Sequence, residues 1–179
     1  MKRTAVYDMI CVSLSAALIS VLSQLAFPLP TGIPLTLQTF AVATAGYLLG
    51  MKNGVFTVLL YILLGALGAP VFSSFRGGLN ALVAELTGGF IFGFIFLALL
   101  CGFGTRFSFR KHSALFAITF GYIGLILCHV CGILQASAIS DSDFLSVFSV
   151  FSLPFLAKDI ISVPLAYYFC RIISRTNKI

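Results

Sequence analysis

The stretch LTLQTFAVATAGYLLGMKNGVFTVLLYILLGALGA, residues 35–69, holds two apolar runs around the turn Met51, Lys52, Asn53. Lys52 is its one charged side chain. A soluble helical hairpin needs a polar face for water, and this stretch has none. In a bilayer the same stretch supplies two helices joined by a tight turn whose lysine marks one membrane surface. The runs 35–49, which is short, and 54–69 are therefore read as two membrane spans.

The rest of the chain extends the pattern. A membrane-crossing helix needs roughly 20 apolar residues. Further runs at 6–27, 87–103, 112–137 and 154–173 bring the count to six spans, in a single integral membrane domain over residues 1–179. The composition agrees, with 60% hydrophobic residues, 9% charged and a mean hydropathy of +1.10. Soluble domains carry about 25% charged residues. The expected fold class is all-α: six transmembrane helices embedded in the lipid bilayer.

Nine of the eleven Lys and Arg residues fall in four clusters: Lys2/Arg3, Lys52, Arg106/Arg110/Lys111 and Arg171/Arg175/Lys178. Apolar spans alternate between them. Cytoplasmic loops carry the Lys/Arg excess, so both termini and the turns after spans 2 and 4 are expected inside. Arg76, Lys158 and four of the five acids, Glu85, Asp141, Asp143 and Asp159, fall on the other side. Charges of both signs meet there, which predicts a substrate pocket open to the outer face. The opening Lys2/Arg3 followed by an apolar run has the look of a signal peptide. Its removal would break the alternation, so it is read as a retained first helix. The net charge of +6 follows from topology and does not indicate nucleic acid, because no basic residues alternate with aromatics on a polar face.

Several chemistries are disfavoured. The five cysteines, at 11, 101, 128, 131 and 170, lie in or beside apolar spans and read as small packing residues. Cys128, His129 and Cys131 fall short of the four ligands of a structural zinc site, so no metal is expected, nor any cofactor; His129 reads as a polar lining residue of span 5. The sequence has no G-x-x-x-x-G-K-[ST], no G-x-S-x-G and no H-E-x-x-H. An ATPase motif of its own and an intramembrane hydrolase site are both missing, and the chain is not read as an enzyme. No internal repeat suggests the two halves of a transporter.

The polar residues of the outer side are the candidates. Eleven residues separate Asp159 from Arg171, too few to cross the hydrocarbon. Lys158 and Asp159 therefore face a cavity, unless span 6 starts late and both are interfacial. Arg76, Gly77, Gly78 and Asn80 lie in a loop too apolar for water (70–85), expected to dip back over the helix ends. Glycines admit a ligand close to the backbone, Arg grips carboxylates and Asn both donates and accepts. Equally, Arg76 snorkels to headgroups. Thr36, Gln38 and Thr39 follow the proline-rich loop PLPTGIP (28–34), which its prolines hold extended. Thr36 suits a helix cap and Gln38 an interhelical hydrogen bond. Thr87, Gly88 and Gly89 open span 4, with Gly93 one turn on, as for close packing or an anion at the helix start. Ser13, Ala16, Ala17 and Ser20 give span 1 a small-residue face for another helix of this chain or of a partner.

The segment GIPLTLQTFA (32–41) resembles the start of helix 2 in the BioY family, the biotin-specific substrate-binding (S) components of energy-coupling factor transporters. The resemblance continues through GYLLG (46–50), LLYILLGALGAPVF (59–72), Gly77-Gly78, TGGFIFGF (87–94) and LPFLAKD (153–159), over most of the chain. It implies six membrane helices and a site under the outer loops. It also implies biotin uptake across the bacterial cytoplasmic membrane, energised by a separate transmembrane coupling subunit and two cytoplasmic ATPases. The Pro-Phe-x-x-x-Asp motif puts Asp159 at the family's ligand-binding acid. Family members usually carry a Lys three residues beyond it, where this chain has Ser162. Lys158 shares a helix face with Ser162 one turn away and is expected to take over the cationic role. Glu85-Leu86 stands where Gly-Pro is common, and Gln135 where a Trp is common. For biotin, position alone suggests Phe72, Phe75 and Tyr47 as walls, Asp159 as acceptor for ureido N–H, Asn80 or Gln38 as donor to the ureido oxygen, and Arg76 or Lys158 for the carboxylate. A capture subunit for another vitamin-like anion and an autonomous small carrier are the alternatives.

Overall fold

A computed structural model describes residues 5–27, 34–108 and 114–176. The Lys2/Arg3, Arg110/Lys111 and Lys178 positions, residues 28–33 of the proline-rich loop and the expected start of span 5 at 112–113 lie outside the described residues. In chain order the elements are α1 (Ala5–Gln24), β1 (Ala26–Phe27), β2 (Leu35–Thr36), α2 (Gln38–Ala66), a 3₁₀ turn (Ser73–Phe75), α3 (Leu79–Val83), α4 (Gly88–Ser108), α5 (Ala114–Ser140), α6 (Phe144–Val147), a π-turn (Phe148–Ser152) and α7 (Leu153–Thr176). The two strands pair antiparallel, Ala26 opposite Thr36 and Phe27 opposite Leu35.

The hairpin expected from residues 35–69 hides inside α2. Gly50 sits at φ 81°, ψ 176°, a backbone region essentially reserved for glycine. There the chain turns back on itself. A Cβ on Gly54 would lie 2.9 Å from the Cα of Gly46. Gln38 meets Tyr61 at 2.5 Å, although 23 residues of straight helix would hold them about 35 Å apart. So α2 is two antiparallel arms, 38–49 and 51–66. Five described helical stretches are long and apolar enough to cross a membrane, and the break makes six segments of them. The chain is an all-helical, multi-pass membrane protein apart from its two short strands.

An even number of segments brings the start of α1, the Gly50 turn, the end of α4, the start of α5 and the end of α7 to one end of the bundle. The other end is closed by the strand pair and the 70–85 segment. That segment folds back as expected: Phe72, Ala81 and Leu82 are buried, and Gly78 N–H donates to the carbonyl of Gly65 at 2.7 Å. The most extensive helix contact is α4 on α5. It is possible because Gly93 has no side chain; a Cβ there would stand 2.6 Å from the Cα of Cys128. Ile19, Tyr47, Val58, Tyr61 and Leu97 fill the centre, while Leu14, Leu63, Ile126 and Leu165 face outward where lipid would lie.

Two expectations are corrected. Span 6, expected at 154–173, lies within α7 (Leu153–Thr176); it is the connection before it that differs, because α5 continues to Ser140 and helical backbone resumes at Phe144. Pro154 stands in the first turn of α7, where helical backbone already runs in from the preceding π-turn. Proline lacks an N–H and crowds the carbonyl four residues back; the wider π-turn at Phe148–Ser152, directly before it, gives that crowding room. Asp159 lies about two turns into α7 and is buried within the protein. The small-residue face of α1 is also split. Ala16 is 1% exposed in the protein's own core, whereas Ser13 and Ala17 are exposed. Ser20 is half-buried and its hydroxyl donates back to Ala16 O at 2.9 Å. Successive helix residues are about 100° apart, so Ala16 and Ala17 cannot serve one surface.

Candidate functional site

The cleft opens where the first arm of α2 begins. That arm rises only about 18 Å, well short of the roughly 30 Å hydrocarbon core. Above its start lie Thr36, Gln38 and Thr39, and with Phe72, Arg76, Glu85, Phe90, His129, Phe155, Lys158 and Asp159 they line a common cavity. Its volume is about 70 Å³, several times the roughly 10–15 Å³ that one water requires.

The floor carries charge. Asp159 is 4% exposed. Lys158 Nζ approaches its Oδ1 to 2.6 Å, and His129 Nε2 lies 3.4 Å from its Oδ2. Adjacent helix residues do not face each other; the lysine's long stem brings its ammonium round to its neighbour. Lys158 Nζ also donates to the carbonyl of Thr36 at 2.5 Å, tying α7 to the strand that leads into α2. His129 Nδ1 is 2.6 Å from the Ser152 hydroxyl in the π-turn, and Phe90 meets the imidazole edge-on at 5.5 Å. The Lys158 contact lacks hydrogen-bond alignment, so Asp159 Oδ1 is a buried acceptor with no aligned donor among the described residues. A buried polar atom in that state costs free energy until something donates to it.

The wall beside α1 is held by a relay. Gln38 Nε2 donates to Tyr61 OH, Tyr61 OH donates to Val71 O at 3.2 Å, and Ser23 Oγ donates to the same carbonyl at 2.5 Å. Gln24 clamps the following turn, donating from Nε2 to Phe72 O at 3.0 Å and accepting the Phe75 N–H on Oε1 at 2.8 Å. Ser74 and Phe75 both have positive φ, 60° and 58°, a conformation that side-chain-bearing residues hold only where surroundings enforce it. This turn presents Arg76, whose Nε donates to Ser73 O at 3.0 Å and whose Nη1 pairs with Glu85 Oε2.

Of the residues singled out from sequence, the fold brings Thr36, Gln38, Arg76, Lys158 and Asp159 to the cleft. Leu37, not Thr36, stands at the N-cap of α2; the Thr36 hydroxyl accepts the Gln38 N–H at 3.4 Å and its carbonyl receives Lys158. Gly77, Gly78, Asn80 and Ser162 do not line the cleft. Asn80 is exposed, Gly77 packs on the Ala69 carbonyl, and the Ser162 hydroxyl donates back to Lys158 O at 3.1 Å. Among the expected walls Phe72 is in place; Phe75 is 71% exposed and Tyr47 is buried elsewhere, against Tyr167 and the Ala117 carbonyl. Glu85, Phe90 and Phe155 were not foreseen as lining residues. A Phe at the start of each of two spans was the available signal for the last two. Gln135, in place of a Trp, donates to Leu82 O at 2.7 Å and closes the end of α3. Among the described residues no His, Cys, Asp and Glu group suits a metal ion.

The model of the BioY family matches residues 1–178. The chain belongs to the BioY family. Biotin transporter BioY2 of Lactococcus lactis subsp. cremoris is 33% identical over 182 residues, 99% of this chain and 98% of that protein. Biotin transporter BioY of Thermotoga maritima is 37% identical over 150 residues, 84% and 85% of the two chains. The fold is shared with a crystal structure of the S-component for biotin from an ECF-type ABC transporter, at a TM-score of 0.85 and 24% identity over 97% of this chain and 95% of that one. Within this BioY-family chain the Lys158–Asp159 pair gives a stability test. Lys158→Met leaves Asp159 uncompensated and is expected to destabilise the purified protein by about 3–5 kcal/mol. Lys158→Met combined with Asp159→Asn should recover most of that loss in thermal unfolding. Equal loss in the single and double variants would show that the two charges are not coupled.

Proposed function

We propose that this chain captures biotin from the outer side of a bacterial cytoplasmic membrane, as the substrate-binding subunit of an energy-coupling factor transporter. The side is argued from charge: Lys52, Arg106, Arg171 and Arg175 gather at the end away from the cleft, and Glu85, Asp141, Asp143 and Asp159 near the cleft's end. The Lys/Arg-rich end is the cytoplasmic one, so both termini lie inside and the cleft opens outward.

The observation that carries the reading is the buried Asp159 at the floor of an apolar-walled cleft, its Oδ1 ion-paired with Lys158 but accepting no aligned hydrogen bond among the described residues. Biotin has a ureido head with N–H donors, an apolar bicycle and a carboxylate tail. Asp159 Oδ1 accepts a ureido N–H, and Gln38, the cleft-lining amide, faces the ureido group. Phe72, Phe90 and Phe155 enclose the bicycle. Two cations compete for the carboxylate, and magnitudes decide between them. Taking Lys158 would break a buried pair, at about 3–5 kcal/mol. Taking Arg76 would break a pair whose side chains are 34% and 27% exposed, worth about 0–1 kcal/mol. Arg76 therefore meets the carboxylate, and Lys158 stays with Asp159 as the cation of the floor. Gly77, Gly78 and Asn80 shape the loop that carries Arg76, and Ser162 supports the turn of α7 below Lys158.

Uptake then needs a transmembrane coupling subunit and two cytoplasmic ATPases. Of the four small α1 residues, Ser13 and Ala17 are the exposed ones that could meet that subunit, with Ala16 and Ser20 turned to the chain's own bundle.

Asp159→Asn should weaken binding of radiolabelled biotin by about 10- to 100-fold, the scale of a charged hydrogen bond. Arg76→Gln should weaken biotin by roughly threefold to tenfold and leave biotin methyl ester unchanged. Wild-type affinity in Asp159→Asn would sink the assignment. Ala17→Trp should abolish ATP-dependent uptake in cells holding the coupling subunits while sparing biotin binding; unimpaired uptake would remove α1 from the docking surface.

A further inference from the structure

The charges of the cleft form two complete pairs, Lys158 with Asp159 and Arg76 with Glu85. A carboxylate that enters meets no unclaimed cation among the described lining residues. One pair has to open, and the two differ in what holds them. Lys158 is also fixed to the Thr36 carbonyl, and its partner is buried. The Arg76–Glu85 pair is partly exposed, so water can take up the carboxylate that leaves. The backbone around Glu85 is fixed at the same time. Its carbonyl accepts the Gly88 N–H at 3.2 Å where α4 begins, and Gln135 approaches it at 3.4 Å. Only the side chain is left to move. Glu85 also lies where the resemblance to BioY proteins implies a glycine, which would offer Arg76 no carboxylate.

We propose that Glu85 is a specificity-determining residue: an internal carboxylate that occupies Arg76 while the cleft is empty and gives way to the carboxylate of the ligand. The proposal rests on the reading of Arg76 as the site of biotin's carboxylate. An acid can exchange with Glu85 because it offers Arg76 the same chemistry. A neutral ester or amide cannot, and binds with the Arg76–Glu85 pair intact. Glu85 thus lowers the affinity for acids below what Arg76 alone would give and leaves uncharged analogues unaffected. The sign is opposite to that of a residue that merely supports the loop.

The test is equilibrium binding of biotin and biotin methyl ester to the purified full chain in detergent, for wild type, Glu85→Gln, Glu85→Ala and the Arg76→Gln/Glu85→Gln double variant, each with its thermal unfolding midpoint. Glu85→Gln and Glu85→Ala should bind biotin roughly threefold tighter, the scale of a partly exposed ion pair, with the ester unchanged. The double variant should lose the gain. Biotin affinity that is unchanged or weaker in both single variants overturns the proposal, as does an equal change for acid and ester. A wild-type chain that binds no biotin at all overturns the functional reading and this inference with it, an outcome distinct from normal wild-type binding with an inert Glu85.

Discussion

Lys158 and Asp159 put opposite charges side by side on a helix that crosses a membrane, and the surrounding structure answers that constraint. Neither charge tolerates hydrocarbon alone. Lys158 bends to its neighbour and to the Thr36 carbonyl, and His129 stands against the far oxygen of Asp159. The start of α2, the middle of α5 and the early turns of α7 are thereby fixed around one cavity. Removing Asp159 takes the anion from the floor, and removing Lys158 takes its cation and the tie between α7 and Thr36 together.

The scaffold is assembled from small residues where backbones must approach and from hydrogen bonds where the chain is irregular. Gly50 lets α2 fold back within a single turn, and Gly93 lets α4 lie on α5. The segment after α2 has no regular structure to satisfy its carbonyls, so Ser23, Gln24 and Tyr61 supply donors from neighbouring helices. That irregular segment carries Arg76. One side of the site is therefore a rigid helix bearing a buried pair, and the other is a clamped turn bearing a partly exposed one. On the proposed reading, this difference in burial favours Arg76 as the cation that an incoming anion takes.

Much of the fold was legible in the sequence because charge placement and apolar length are properties of the linear chain. The six segments and the burial of Asp159 followed from them. The start of the last helical stretch did not, because Pro154 preceded by serines and two aspartates has the composition of a loop; the π-turn that carries helix up to the proline leaves no residue signature. The site was legible where helical spacing applied. Gln38 and Thr39 open into the cleft, but Tyr47 lies nine residues beyond Gln38, about two and a half turns on, and so points to the opposite side. In the 70–85 segment no period separates inward from outward residues. Phe72 went in, Phe75 went out, and Glu85 met Arg76 across a turn that spacing could not foretell.

The most direct test is a crystal structure of the chain with biotin bound. The account predicts a ureido nitrogen about 2.7–3.2 Å from Asp159 Oδ1, the biotin carboxylate on Arg76, and the Lys158–Asp159 pair unbroken. Biotin bound in the opposite sense, with its carboxylate on Lys158 and its ureido group at the mouth of the cleft, would contradict it.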